Sequence, residues 1–165
     1  MTKLSVTLIE NGILDKNLHY GAYSRYWWRL SNISKKKIYF PIRIGQKTKI
    51  SLNEREFFMT VVINYSKNSF LPRFYCECGS FSSIKQDPTT AISTVYKEIF
   101  NNQTRYSGNL VLGWTNESII EQLSLDVLFV SISLSLGEYK IFVFGVGSSS
   151  NSEWNNGGPG YKSSL

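Results

Sequence analysis

The sequence predicts an α+β fold: a mostly antiparallel β-sheet with two helices, about 87–101 and 116–123, packed on one side of it. Three observations carry this. Strand-length runs before residue 80 alternate apolar with polar side chains, the stretch 87–123 holds both helix signals, and a further pair of alternating runs follows at 127–146. The chain has 165 residues, enough for one domain, expected over 1–146. The Ser-, Asn- and Gly-rich composition of 147–165 reads as a tail.

In chain order, Met1 to Glu10 alternates Leu4, Val6 and Leu8 with Lys3, Ser5 and Thr7, which is a strand and not the unbroken apolar core of a secretory signal. Asn11-Gly12 turns the chain. Tyr20 to Leu30, read at period two, places Tyr26, Trp28 and Leu30 on a core face, with Tyr23, Arg25, Trp27 and Arg29 outward. Lys37 to Ile44 sets Ile38, Phe40, Ile42 and Ile44 against Lys37, Tyr39, Pro41 and Arg43, and Pro41 marks an edge strand because it cannot donate to a ladder. Gly45 to Glu56 reads as a basic loop, and Phe57–Tyr65 with Phe70–Cys78 as a hairpin.

Asp87 stands as an N-cap before Pro88 at the first helical position, where a missing N–H costs nothing. Ala91, Ile92, Val95, Tyr96, Ile99 and Phe100 then form an apolar stripe at helical spacing. Asn101 and Asn102 end the helix, Ser107-Gly108 turns, and Leu110 to Leu112 is a short apolar segment. Thr115 is the expected cap of the second helix, with Trp114 and Ile119 placed as a hydrophobic staple. Val127–Leu136 and Tyr139–Val146 make the closing strand pair, with Leu128, Val130, Ile132, Leu134 and Leu136 sharing one face of the first.

No run approaches the roughly 20 apolar residues of a membrane span, so an intracellular protein with no membrane partner is expected. Cys76 and Cys78 lie two apart on a strand, where they read as reduced core thiols. With a single histidine they fall short of the four ligands of a structural zinc site. His19 has no nucleophile at a recognised spacing, and Gly145-Val146-Gly147-Ser148 lacks the lysine and the helix pattern of a phosphate loop. No catalytic residue, metal or cofactor is called for.

The net charge of +6 is concentrated: nine Lys/Arg against Glu54 and Glu56 give residues 25–56 a charge of +7, and the rest sums to −1. Such an excess fits an anionic partner as well as a solvated surface. If Tyr20–Leu30 pairs with Lys37–Ile44, the outward faces merge into a candidate binding surface of Tyr23, Arg25, Trp27, Arg29, Lys37, Tyr39 and Arg43. Interleaved cations and rings suit single-stranded nucleic acid, and equally an acidic or phosphorylated peptide.

The central stretch resembles the carboxy-terminal half of the FY-rich domain of nuclear, chromatin-associated proteins. The matching residues are Asp87-Pro88-Thr89-Thr90-Ala91, Val95, Ser107-Gly108, Gly113, Thr115-Asn116, Ile120 and Leu123, preceded by Leu71-Pro72-Arg73-Phe74. Tyr20 to Trp27 is a looser echo of the amino-terminal half, while Ile92 and Trp114 depart from the family pattern. The resemblance implies a compact α+β interaction module, nuclear, with a protein or chromatin partner and no activity of its own. A nucleic-acid binder using the basic and aromatic face and an enzyme are the two other classes.

Overall fold

The computed structural model describes residues 4–31, 39–63, 69–125, 127, 129–136 and 139–146. They fall into two compact units, Met1–Leu123 and Ser124–Leu165. The first contains a five-stranded antiparallel sheet in the order β1 (Val6–Glu10), β4 (Lys47–Leu52), β5 (Arg55–Ile63), β6 (Pro72–Cys78) and β7 (Phe81–Lys85). A separate pair joins β2 (Trp28–Leu30) to β3 (Tyr39–Pro41). The α+β class is therefore as expected.

Period-two alternation decides which side of the sheet is core. Ile50 and Leu52 of β4, Phe57, Met59 and Val61 of β5, and Phe74, Cys76 and Cys78 of β6 are all buried. Over this side lies α2 (Pro88–Phe100), which contacts β5, β6 and β7 and buries Ala91, Ile92, Val95 and Tyr96. The Tyr96 and Phe57 rings stand 6.0 Å apart. Asp87 caps the helix by accepting from Thr90 N–H at 2.8 Å, and Asn101 ends it in the left-handed conformation. On the opposite side, Lys47 pairs with Glu77 and Lys49 with Glu56.

Several expectations need correction. Gly45–Glu56 is not a loop: it contains β4 and a two-residue turn at Asn53-Glu54, both at positive φ (49° and 66°), that joins β4 to β5 as a hairpin. The turn was hidden because Asn-Glu lacks the glycine such turns favour. β7 was also missed, since Phe81-Ser82-Ser83-Ile84-Lys85 is an edge strand with little apolar alternation. Ser107-Gly108, read as a turn, opens a helix: α3 (Gly108–Val111) forms there under a Ser107 cap and takes up part of the short apolar segment Leu110–Leu112. The final helix of this unit, α4 (Glu117–Ser124), is capped by Asn116 and not Thr115, with Asn116 Oδ1 accepting from the N–H groups of Ser118 and Ile119.

Tyr20–Leu30 is likewise no single strand. Asp15 accepts from Asn17 and Leu18 N–H and caps α1 (Lys16–His19), a 3-10 turn follows at Ser24–Tyr26, and only Trp28–Leu30 is extended. In the second unit β8 (Phe129–Leu136) pairs antiparallel with β9 (Tyr139–Val146), as expected. Only the backbone of these two strands is described, so the side-chain faces expected along them lie outside the description, as does the 147–165 tail. No helix among the described residues is long and apolar enough to cross a membrane.

Candidate binding site

One cleft of the first unit rests on a wall that is fixed by a buried amide. Gln46, fully buried on the approach to β4, donates from Nε2 to the Leu112 carbonyl at 2.9 Å and accepts from the Trp114 indole N–H at 3.1 Å. One turn of pleat onward, Thr48 Oγ1 donates to the Val111 carbonyl at 2.8 Å. These bonds tie the exit of α3 to the sheet, so that buried backbone carbonyls are not left unmatched. Gly113 then takes φ 76°, a conformation that favours glycine, and a Cβ there would stand 2.5 Å from Ile119 Cδ1 and push on α4. Gly108 is equally constrained against Pro88, and its N–H donates to Thr89 Oγ1.

Trp114 is held between Phe40 and Phe74, each ring centroid 6.0 Å away. Over its face lies Arg29, Cζ 4.7 Å from the ring centroid, while Arg29 Nη1 donates to Asn109 Oδ1 at 2.9 Å. Trp28, Arg29, Leu30, Phe40, Asn109 and Trp114 line an open cleft of about 590 Å³. Burial pushes the Arg29 guanidinium below its ordinary pKa, which reports partial loss of its water shell.

The proposed face of seven residues does not assemble. Trp27 is 0 % exposed, with its indole N–H on the Phe70 carbonyl at 2.7 Å, whereas Tyr26 and Leu30, read as core, are 39 % exposed. The cause is the 3-10 turn, which breaks period two, so that Trp27 and Trp28 both point inward, and Trp28 donates to the His19 carbonyl. Arg43 is buried too: its Nε and Nη2 donate to the Leu123 carbonyl at the C-terminal turn of α4, where a cation meets the negative end of the helix. Tyr39 is half-buried opposite Leu30, and Lys37 lies outside the described residues. Arg29 sits in the cleft. Tyr23 and Arg25 remain exposed, Tyr23 against Phe70 (5.1 Å between centroids) and Arg25 over the Tyr26 ring. Trp114 and Asn109 were missed as site residues; their signal was a tryptophan placed directly after the glycine that closes a turn.

The groups able to do chemistry are built into the fold. Asp15 N–H donates to His19 Nδ1 at 2.9 Å, so Nε2 carries the proton and donates to the Ile42 carbonyl at 2.7 Å. Burial, foremost, and the Arg43 charge hold the His19 pKa below its usual value against the raising effect of the backbone bonds. Cys76 and Cys78 are free and buried, and the Cys76 thiol is pushed up to about 12, chiefly by desolvation. No family model, curated protein or solved structure matches this chain.

Proposed function

We propose that this chain is a non-catalytic interaction module whose partner is a protein. The observation that supports this best is the half-buried Arg29, set over Trp114 and steered by Asn109 at the mouth of an open cleft. His19 and Cys76, the residues an enzyme would use, have their proton-accepting or nucleophilic atoms committed or suppressed inside the core. The FY-rich resemblance of 87–123 supports a chromatin-linked partner and a nuclear setting. The test is a pull-down from nuclear extract with the whole chain, with and without nuclease, followed by re-binding of purified candidates. Proteins retained after nuclease support the reading; loss of all bound material on nuclease treatment overturns it.

A nucleic-acid reading has one observation in its favour, the exposed Tyr23, Arg25, Tyr26 and Phe70 around the 3-10 turn. With Trp27 and Arg43 withdrawn from the surface, however, fewer rings and cations remain for bases and phosphates than the sequence promised.

A further inference from the structure

We propose that the Arg29 cleft grips a carboxylate side chain within an acidic segment of a partner protein, with Arg29 as its anchor. The proposal rests on the interaction-module reading and names what that module recognises. Arg29 has one polar partner, the neutral Asn109 Oδ1, and among the described residues no carboxylate pairs with it. Among the described residues this cation therefore stands in a partly dry site without a counter-charge. Such a group is costly alone and gains when an anion arrives. Because Asn109 takes Nη1, the adjacent Nε and Nη2 are left as a two-point fork, the geometry that matches the two oxygens of one carboxylate.

The rest of the lining argues for a peptide and against the other anions. Among the described residues Arg29 is the one cation that lines the cleft, whereas a phosphate dianion calls for several donors. The Trp28 and Trp114 rings are almost wholly covered, 4 % exposed each, so neither offers a bare face on which a nucleobase could stack. A cleft of about 590 Å³ exceeds the needs of a lone carboxylate, and the exposed Leu30 gives its rim an apolar contact for a neighbouring side chain. The positive net charge of the chain attracts an acidic stretch from a distance. It also disfavours a second copy of this chain, whose own net charge is +6.

The experiment is fluorescence anisotropy with the whole chain and a short labelled peptide of glutamate and leucine. Parallel arms replace glutamate with glutamine, replace it with phosphoserine, or use a single-stranded oligonucleotide. The glutamate peptide is expected to bind at least about tenfold more tightly than the glutamine peptide. Arg29→Gln should weaken it by about tenfold or more, and Arg29→Lys should fall between, because a point charge replaces the fork. Lys85→Gln, at an exposed position on β7, should bind as the wild type does. Melting curves establish that each variant is folded. If Arg29→Gln does not fold, Arg29→Lys decides, and wild-type affinity there overturns the proposal. Persistent binding by folded Arg29→Gln overturns the cleft while leaving the interaction module standing. Tighter binding of the phosphoserine peptide or oligonucleotide overturns the carboxylate assignment, and binding of no probe by the wild type counts against both readings.

Discussion

Gln46→Leu should destabilise the domain by about 3 kcal/mol, and the reason can be isolated. The replacement is close in size, so the lost packing is small, but two buried groups lose their partners: the Leu112 carbonyl and the Trp114 indole N–H. Each orphaned group costs roughly 1–3 kcal/mol, which puts the sum within about 2–6 kcal/mol. Thr48 continues to hold Val111, which keeps the estimate toward the lower end. The clean assay is a double-mutant cycle with Trp114→Phe, which removes the indole N–H while keeping an aromatic ring between Phe40 and Phe74. In the Phe background Gln46→Leu orphans one group instead of two, so its cost in urea unfolding should drop by about 1–3 kcal/mol. Equal costs in both backgrounds, or a Gln46→Leu variant within about 0.5 kcal/mol of wild type, would refute the claim that this amide holds the cleft wall.

Val95→Asp places an unpaired charge on the fully buried face of α2, a cost of several kcal/mol against a total stability of about 5–15, so a soluble variant with a cooperative melt would show that this face is not core. His19 gives a pH dependence of known sign: its folded pKa lies below the unfolded 6.5, so the unfolded chain binds more protons in between and stability falls as pH drops through that window. Urea unfolding at about pH 7.5 and about pH 5 should show the loss, and His19→Gln should reduce it; an unchanged slope in the variant would assign the dependence to other groups. Glu54→Gly should raise stability by about 1 kcal/mol, since Glu54 sits at φ 66° in the two-residue β4–β5 turn, and a lower unfolding midpoint would contradict the turn assignment.

What could be read from the chain depended on how far each signal acts. α2 was legible to within a residue because Asp87, Pro88 and a regular apolar stripe are local determinants. The β5–β6 hairpin followed from β-branched and aromatic runs. The β4–β5 turn was not legible because Lys47 and Lys49 interleave with the buried set Thr48, Ile50 and Leu52 and Asn53-Glu54 lacks a glycine. The candidate site failed at its premise, a continuous strand over Tyr20–Leu30. A two-residue capping contact from Asp15 and a single 3-10 turn were enough to turn Trp27 inward. Arg43 could not have been placed from sequence at all, since its partner is the Leu123 carbonyl, 80 positions away.

That separation bears on how the protein is made. Arg43 waits for Leu123 and Arg29 for Asn109, each 80 residues on, Gln46 for Leu112, 66 on, and Thr48 for Val111, 63 on. At a synthesis rate of about 5–20 residues per second, these polar groups precede their partners by roughly 3 to 16 s. The β5–β6–β7 meander, by contrast, closes only short loops and needs no partner from the 108–123 segment for its strand pairing. The groups that later pin α3 and α4 stay hydrated during that interval and enter the interior together only when the 108–123 segment arrives. The cleft wall around Trp114 therefore cannot be completed before the 108–123 segment has been made.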